Sequence, residues 1–333
     1  MRSDPERAGG SSRRRLTSLL LTLPRVHALR ARRKDSASVN SVLGDKKAIL
    51  ILLGPALAVY TLIKLVPVLW SLGLTFFTGN PLSGFEFSGG ENFLRFLQDP
   101  QALEALWFTV RYSLVITAGQ VVLGYALALL YVFVLKNASS FVRTVVFFPT
   151  VLPTVAVALL FKSMFAVGGQ EGPVNAGLGF LGLGSIDWFA TAEGTFAVAV
   201  IMELWRSMGF FAILLYAGLV DIPEETLESA RLDGATGWRL VSSIVLPLSL
   251  PVLLSSVIFS FNSTLKVFDT LLALNNGGPG SSTTPLTLYM YRTVFSYSDY
   301  GYGSTIALVL TIMCFLVTLF IFRSSRRDNT KEA

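Results

Sequence analysis

A chain of 333 residues with 52% hydrophobic and only 14% charged side chains departs from a soluble domain, in which about a quarter of residues are charged. One histidine, His27, and one cysteine, Cys314, exclude a histidine metal cluster and an intrachain disulfide, and they argue against a Ser-His-Asp site. The formal charge of +6 is explained by cations at the ends of membrane spans, so nucleic acid is not an expected partner.

Residues 1–47 form a basic tail with Arg13 to Arg15, Arg25, Arg30, Arg32, Arg33, Lys34, Lys46 and Lys47. Its apolar piece, Leu16 to Leu23, is too short to cross a bilayer. No small-residue cleavage site precedes the first long apolar run, so the expectation is a tail on the lipid surface or without fixed structure, not a signal peptide.

Six stretches reach the roughly 20 apolar residues that a bilayer core of about 30 Å requires. They are Ala48 to Phe77, Ala105 to Leu135, Phe141 to Phe165, Thr195 to Val220, Val252 to Leu274 and Tyr302 to Phe322. Lys64, Arg111, Arg143 and Lys162 fall within the first three. They are expected near span ends or inside the bundle, because a charge facing lipid is costly. In the third stretch, Pro149 and Pro153 predict a kink, since proline removes a backbone donor and crowds the preceding turn. In the fourth, Glu203 and Arg206 stand three apart beside Trp205, as bundle glue or as part of a solute path.

Between the fourth and fifth stretches lies a charged island, Asp221 to Pro251. Pro223 in a first turn, acids Glu224, Glu225 and Glu228, and then Arg231 predict a short helix ending near Asp233. Gly234 supplies the freedom to end it. Thr236 can cap a second helix with Trp238, Val241, Ile244 and Val245 on one face, so the pair makes a knob. In the fifth stretch Asn262, Lys266 and Asp269 fall on one helical face amid Phe259, Phe261, Leu265 and Phe268. Hydroxyl-binding groups and phenylalanine faces suit a sugar, and a structural polar pair is the other reading.

The basic tail and the C-terminal Arg323, Arg326, Arg327 and Lys331 place both termini in the cytoplasm. Six spans then put Lys136 to Arg143 and the charged island inside, and Gly168 to Gly194, which has no Lys or Arg, outside. The expected domains are the tail 1–47, a transmembrane domain 48–325 containing the loop 221–251, and a cytoplasmic end 326–333.

Three ordered motifs carry a resemblance over Ala48 to Arg327. Glu228-Ser229-Ala230, then Asp233-Gly234-Ala235 and Leu246-Pro247, is similar to the EAA loop of permease subunits of ATP-binding-cassette importers, with Ser229 at the second position. Phe148-Pro149 to Pro153 resembles the paired-proline segment of sugar permeases. Leu274 to Pro279, followed by Thr283, Leu286, Tyr289 and Tyr291, resembles their L-T-x-G-G-P element, with Asn275 in place of threonine. Gly90-Glu-Asn92-Phe resembles the stretch after their first span. Phe87-Ser-Gly-Gly-Glu91 is similar to an ATPase signature, but no phosphate-binding G-x-x-x-x-G-K-[ST] sequence occurs in the chain.

The resemblance implies an all-α, six-span permease of the type I importer class in a prokaryotic plasma membrane. It implies a heterodimer with a second permease, two cytoplasmic ATPases that hold the ATP and Mg, and an external sugar-binding protein. This chain would itself hold no cofactor and no metal. Glu228, Ser229, Ala230, Asp233, Gly234, Ala235 and Pro247 would couple to the ATPase; Asn262, Lys266, Asp269, Phe261, Phe268, Glu203 and Arg206 are the candidate solute path. Polyol or glycerol-phosphate permeases share these motifs. An ion-coupled carrier is the remaining reading, disfavoured because no inverted repeat or unpaired intramembrane acid is evident.

Overall fold

The computed structural model describes residues 46–135, 138–169 and 171–329. The tail before residue 46, Lys136 and the last four residues lie outside the described residues. Helices α1 (Lys46–Tyr60), α2 (Val66–Leu74), α3 (Glu91–Gln98), α4 (Pro100–Leu129), α5 (Ser139–Val151), α6 (Thr154–Met164) and α7 (Pro173–Phe180) make the first half. Then follow α8 (Ala192–Val220), α9 (Glu224–Leu232), α10 (Gly237–Leu240), α11 (Leu246–Thr264), α12 (Asp269–Asn275), α13 (Leu286–Tyr291) and α14 (Tyr300–Asn329). Among the described residues a single hairpin pairs β1 (Phe77–Asn80) with β2 (Gly84–Phe87), Phe77 opposite Phe87.

Contacts divide the chain into two units, Met1–Trp70 and Ser71–Ala333. In the first, α1 runs through a π turn, Thr61–Leu65, into the opening residues of α2. Among the described residues five helices are long and apolar enough to span a membrane, and six if α5 and α6 form one span.

Two π turns precede prolines. Val66 N–H bonds Thr61 O just before Pro67, and Leu246 N–H bonds Val241 O just before Pro247. A proline has no N–H and its ring crowds the carbonyl four residues back; a wider turn gives that carbonyl room. A continuous helix, Gly237–Thr264, thus passes through Pro247 and Pro251. The third span behaves differently. Leu152 before Pro153 is extended, with φ −69° and ψ 142°, and α5 and α6 meet at 94°. The expected kink is a full break, held where Thr150 Oγ1 donates to Arg206 O at 2.8 Å.

The expected fifth span, Val252 to Leu274, is displaced. Its helix starts fifteen residues earlier, at Gly237, and stops at Thr264. Thr264 Oγ1 bonds back to Ser260 O at 3.0 Å, and Phe268 leaves the helical region with φ −141°. The freed Val267 carbonyl accepts from Thr287 Oγ1, twenty residues on. The chain restarts as α12, which packs on α6. The face expected to join Asn262, Lys266 and Asp269 is therefore not a helical face.

Helices α4 and α8 approach closely because Gly124 meets the Phe211 backbone, and α8 meets α5 because Gly209 lies against Val146 and Phe147. Phe108, Tyr112, Ile116, Phe161, Met202 and Leu271 fill the core between α4, α6, α8 and α12. Arg111 pairs with Glu193 at 2.6 Å and lies 4.3 Å from the Phe196 ring centre, and Arg143 lies 4.1 Å from that of Tyr216. Lys64 and Lys162 are exposed.

At the α3–α4 corner one carboxylate gathers four donors. Asp99 caps α4 by accepting from Gln101 N–H at 2.9 Å, and accepts from Tyr289 and Tyr302 hydroxyls at 2.5 and 2.6 Å. Burial pushes its pKa up, but the two phenols and the N–H groups of Ala102 and Gln101 outweigh it, so the net shift is below the ordinary 3.8. Burial, then the bond to Asp99, raises Tyr289. Asn92 ties the same corner to the hairpin, its Nδ2 donating to Thr75 O and Phe77 O at 3.0 and 2.9 Å.

Asp99→Ala should cost about 1–3 kcal/mol of stability at neutral pH by orphaning the phenols. A depressed folded-state pKa stabilises above the unfolded value and the benefit is lost as pH falls through the folded one. The melting-temperature gap between wild type and Asp99→Ala should therefore narrow as pH falls below about 3.8.

Candidate functional site

The charged island folds into a knob. Helix α9 begins after Pro223 and ends in a two-bond turn: Ala235 N–H bonds Ala230 O at 2.9 Å, and Gly234 N–H bonds Arg231 O at 3.0 Å. This Schellman geometry needs a left-handed residue, and Gly234 has φ +86°. Leu227 and Ala230 are buried against Ala128, Leu215, Leu219 and Leu240, which belong to α4, α8 and α10. Glu228, Ser229 and Asp233 are exposed, with Glu224, Glu225 and Arg231. Thr236 stands at the expected cap position of α10, but its side chain makes no capping bond. Trp238 is 76% exposed, so it leaves the face shared by Val241, Ile244 and Val245. Pro247 opens α11 on an exposed site.

The interior polar residues divide into two sets. In the first, Gln120 Nε2 donates to Ser207 Oγ at 2.7 Å, and Ser260 Oγ donates to Gln120 Oε1 at 2.5 Å, joining α4, α8 and α11. Ser207 Oγ donates to Glu203 O at 2.5 Å. Glu203 is buried and takes two bonds from Arg206, Nη2 to Oε1 at 2.6 Å and Nε to Oε2 at 3.2 Å. Arg206→Met should cost about 3–5 kcal/mol, because it strands a buried carboxylate. The double change Glu203→Gln with Arg206→Met should recover most of that loss in a detergent melting experiment.

The second set lines a groove of about 550 Å³ along α11 and α14. Asn262 and Lys266 are there with Ser255, Phe259, Ser263 and Thr318. Of the other candidates for the solute path, Phe261 is buried between helices, Phe268 packs on Tyr291 at 5.2 Å between ring centres, and Asp269 opens α12. Among the described residues Lys266 forms no ion pair, with Asp269 or any other acid. Ser255, Ser263 and Thr318 were missed in the sequence; a spacing of 255, 259, 262, 263 and 266 carries the signal for the first two. Thr318 lies 56 positions from Asn262, and no local pattern joins them.

A family model described as a binding-protein-dependent transport system inner membrane component matches residues 120–327. The chain is 34% identical over 286 residues to the sulfoquinovosyl glycerol transport system permease protein of Agrobacterium fabrum, covering 85% of this chain and 92% of that one. It is 32% identical over 243 residues to the multiple sugar-binding transport system permease protein of Streptococcus mutans, covering 73% and 82%. In fold it resembles a chain of a bacterial ABC transporter involved in the import of the acidic polysaccharide alginate, with a TM-score of 0.75, 22% identity and coverage of 86% and 99%.

Proposed function

This chain belongs to the family of binding-protein-dependent transport system inner membrane components, and from that premise we propose that it is one of two permease subunits of an ATP-driven carbohydrate importer. It is a multi-pass inner-membrane transport component. Relatives named for sulfoquinovosyl glycerol, multiple sugars and trehalose/maltose support carbohydrate as the cargo class.

The knob carries the reading. An apolar root on α4, α8 and α10 and a charged, exposed crown make a lever that a cytoplasmic partner can push. Glu224, Glu225 and Glu228 would meet a groove on one of the two ATPases, which supply the nucleotide and Mg chemistry. Closure of the ATPase pair would move the root, and the helices packed on it would rock between inward- and outward-open states. An external sugar-binding protein would load the open state, and the solute would pass the groove along α11. Both termini lie in the cytoplasm in this arrangement.

Uptake in proteoliposomes of the co-expressed complex should require ATP and the ATPase subunits. Uptake that persists on an ion gradient with the ATPases removed would overturn the proposal. Cysteine at Glu228 should cross-link to an ATPase subunit.

A further inference from the structure

Three of the polar side chains that line the groove along α11 have their donors engaged within the protein. Ser255 Oγ donates its proton to Pro251 O at 2.8 Å, and Thr318 Oγ1 donates to Cys314 O at 2.7 Å. Asn262 Nδ2 donates to Ile258 O at 3.0 Å and to Thr318 Oγ1 at 2.9 Å. These three side chains have spent donors on the protein, which leaves acceptor capacity on their oxygens, while Ser263 adds an exposed hydroxyl to the same lining. Sugar hydroxyls, which donate, match them, and the exposed ring of Phe259 offers a face for the sugar's C–H surface.

Lys266 does not fit that pattern. It is the one charged group lining the groove, it follows the end of α11, and among the described residues no carboxylate forms an ion pair with it. An ammonium is donor-only and pairs best with an anionic oxygen. Lys266 is exposed just beyond the end of the span, where its ammonium can meet an anion that enters the groove.

We infer that the carbohydrate moved by this permease carries an acidic substituent, a sulfonate or carboxylate, and that Lys266 binds it while Asn262, Ser255 and Thr318 receive the sugar hydroxyls. This rests on the carbohydrate-importer reading and narrows it to anionic glycosides. The groove, at about 550 Å³, accommodates a sugar of one or two rings with its acid group.

The test uses the whole importer in proteoliposomes with saturating binding protein. Uptake is compared for matched pairs of glycosides that differ only in a 6-sulfonate or 6-carboxylate, in wild type, Lys266→Arg and Lys266→Met. The expected result is at least about tenfold faster uptake of the acidic member by wild type. Lys266→Met should lower the ratio of acidic to neutral uptake by at least about tenfold, and Lys266→Arg should retain the ratio. Uptake of the neutral member by Lys266→Met reports how much working importer that variant leaves. Equal uptake of both members by wild type, or an acidic preference untouched in Lys266→Met, overturns the inference and leaves the carbohydrate importer standing. Failure of every glycoside, acidic or neutral, with a different solute class driving ATP-dependent uptake, overturns the carbohydrate reading itself.

Discussion

Gly234→Pro should lower ATP-driven uptake by at least about tenfold while the protein still inserts and assembles. No atom lies within 4 Å of where a Cβ at 234 would stand, so crowding is not the obstacle. The obstacle is the backbone, at φ +86°. Proline is fixed near −65° and has no N–H, so both the left-handed turn and the bond to Arg231 O are lost. Alanine in the same conformation costs about 1–2 kcal/mol, a milder case of the same strain. Asparagine, which enters the left-handed region more readily, should keep near-normal uptake. Glu228→Lys should uncouple by another route, because its exposed side chain holds none of the fold and the change reverses the charge offered to a partner. Uptake and ATPase stimulation in the same proteoliposomes check both. Undiminished uptake in Gly234→Pro would remove the knob from the coupling mechanism.

Gly209→Val should produce a large loss of folded protein. A Cβ there falls on the carbonyl oxygen of Val146 and within 2.7 Å of Phe147 Cα. Both atoms are backbone, so no side-chain rotation relieves the overlap, and α5 must move away from α8. That movement breaks the bond from Thr150 to Arg206 O that holds the α5–α6 bend. The cost should reach about 3 kcal/mol, the upper part of the overpacking range. Gly177→Ala, with nothing within 4 Å of its Cβ, should be neutral or slightly stabilising. Yield of monodisperse protein and melting temperature in detergent distinguish the two. An unaffected Gly209→Val would show that α5 and α8 do not pack as described.

The spans were legible because burial in lipid leaves long apolar runs, and four of the six expected stretches coincide with helices to within a few residues. The knob was legible because turn chemistry is local: acids, a glycine and the spacing between them specify α9 and its end. Proline was read only partly. Pro153 breaks its helix, whereas Pro67 and Pro247 ride on π turns, and the difference depends on whether the preceding turn can widen within its packing.

The sequence by itself determined a multi-pass helical membrane protein with a charged lever between two spans, since hydropathy, helix capping and glycine conformation act over a few residues. Only the tertiary structure decided where the fifth span ends and which polar residues share a surface. Periodicity assumed one helix through Asp269, but Thr287, twenty positions away, takes the carbonyl of Val267 and lets the helix stop at Thr264. That non-local bond separates Lys266 from Asp269 and brings it, with Asn262, into a groove completed by Thr318 of a different helix.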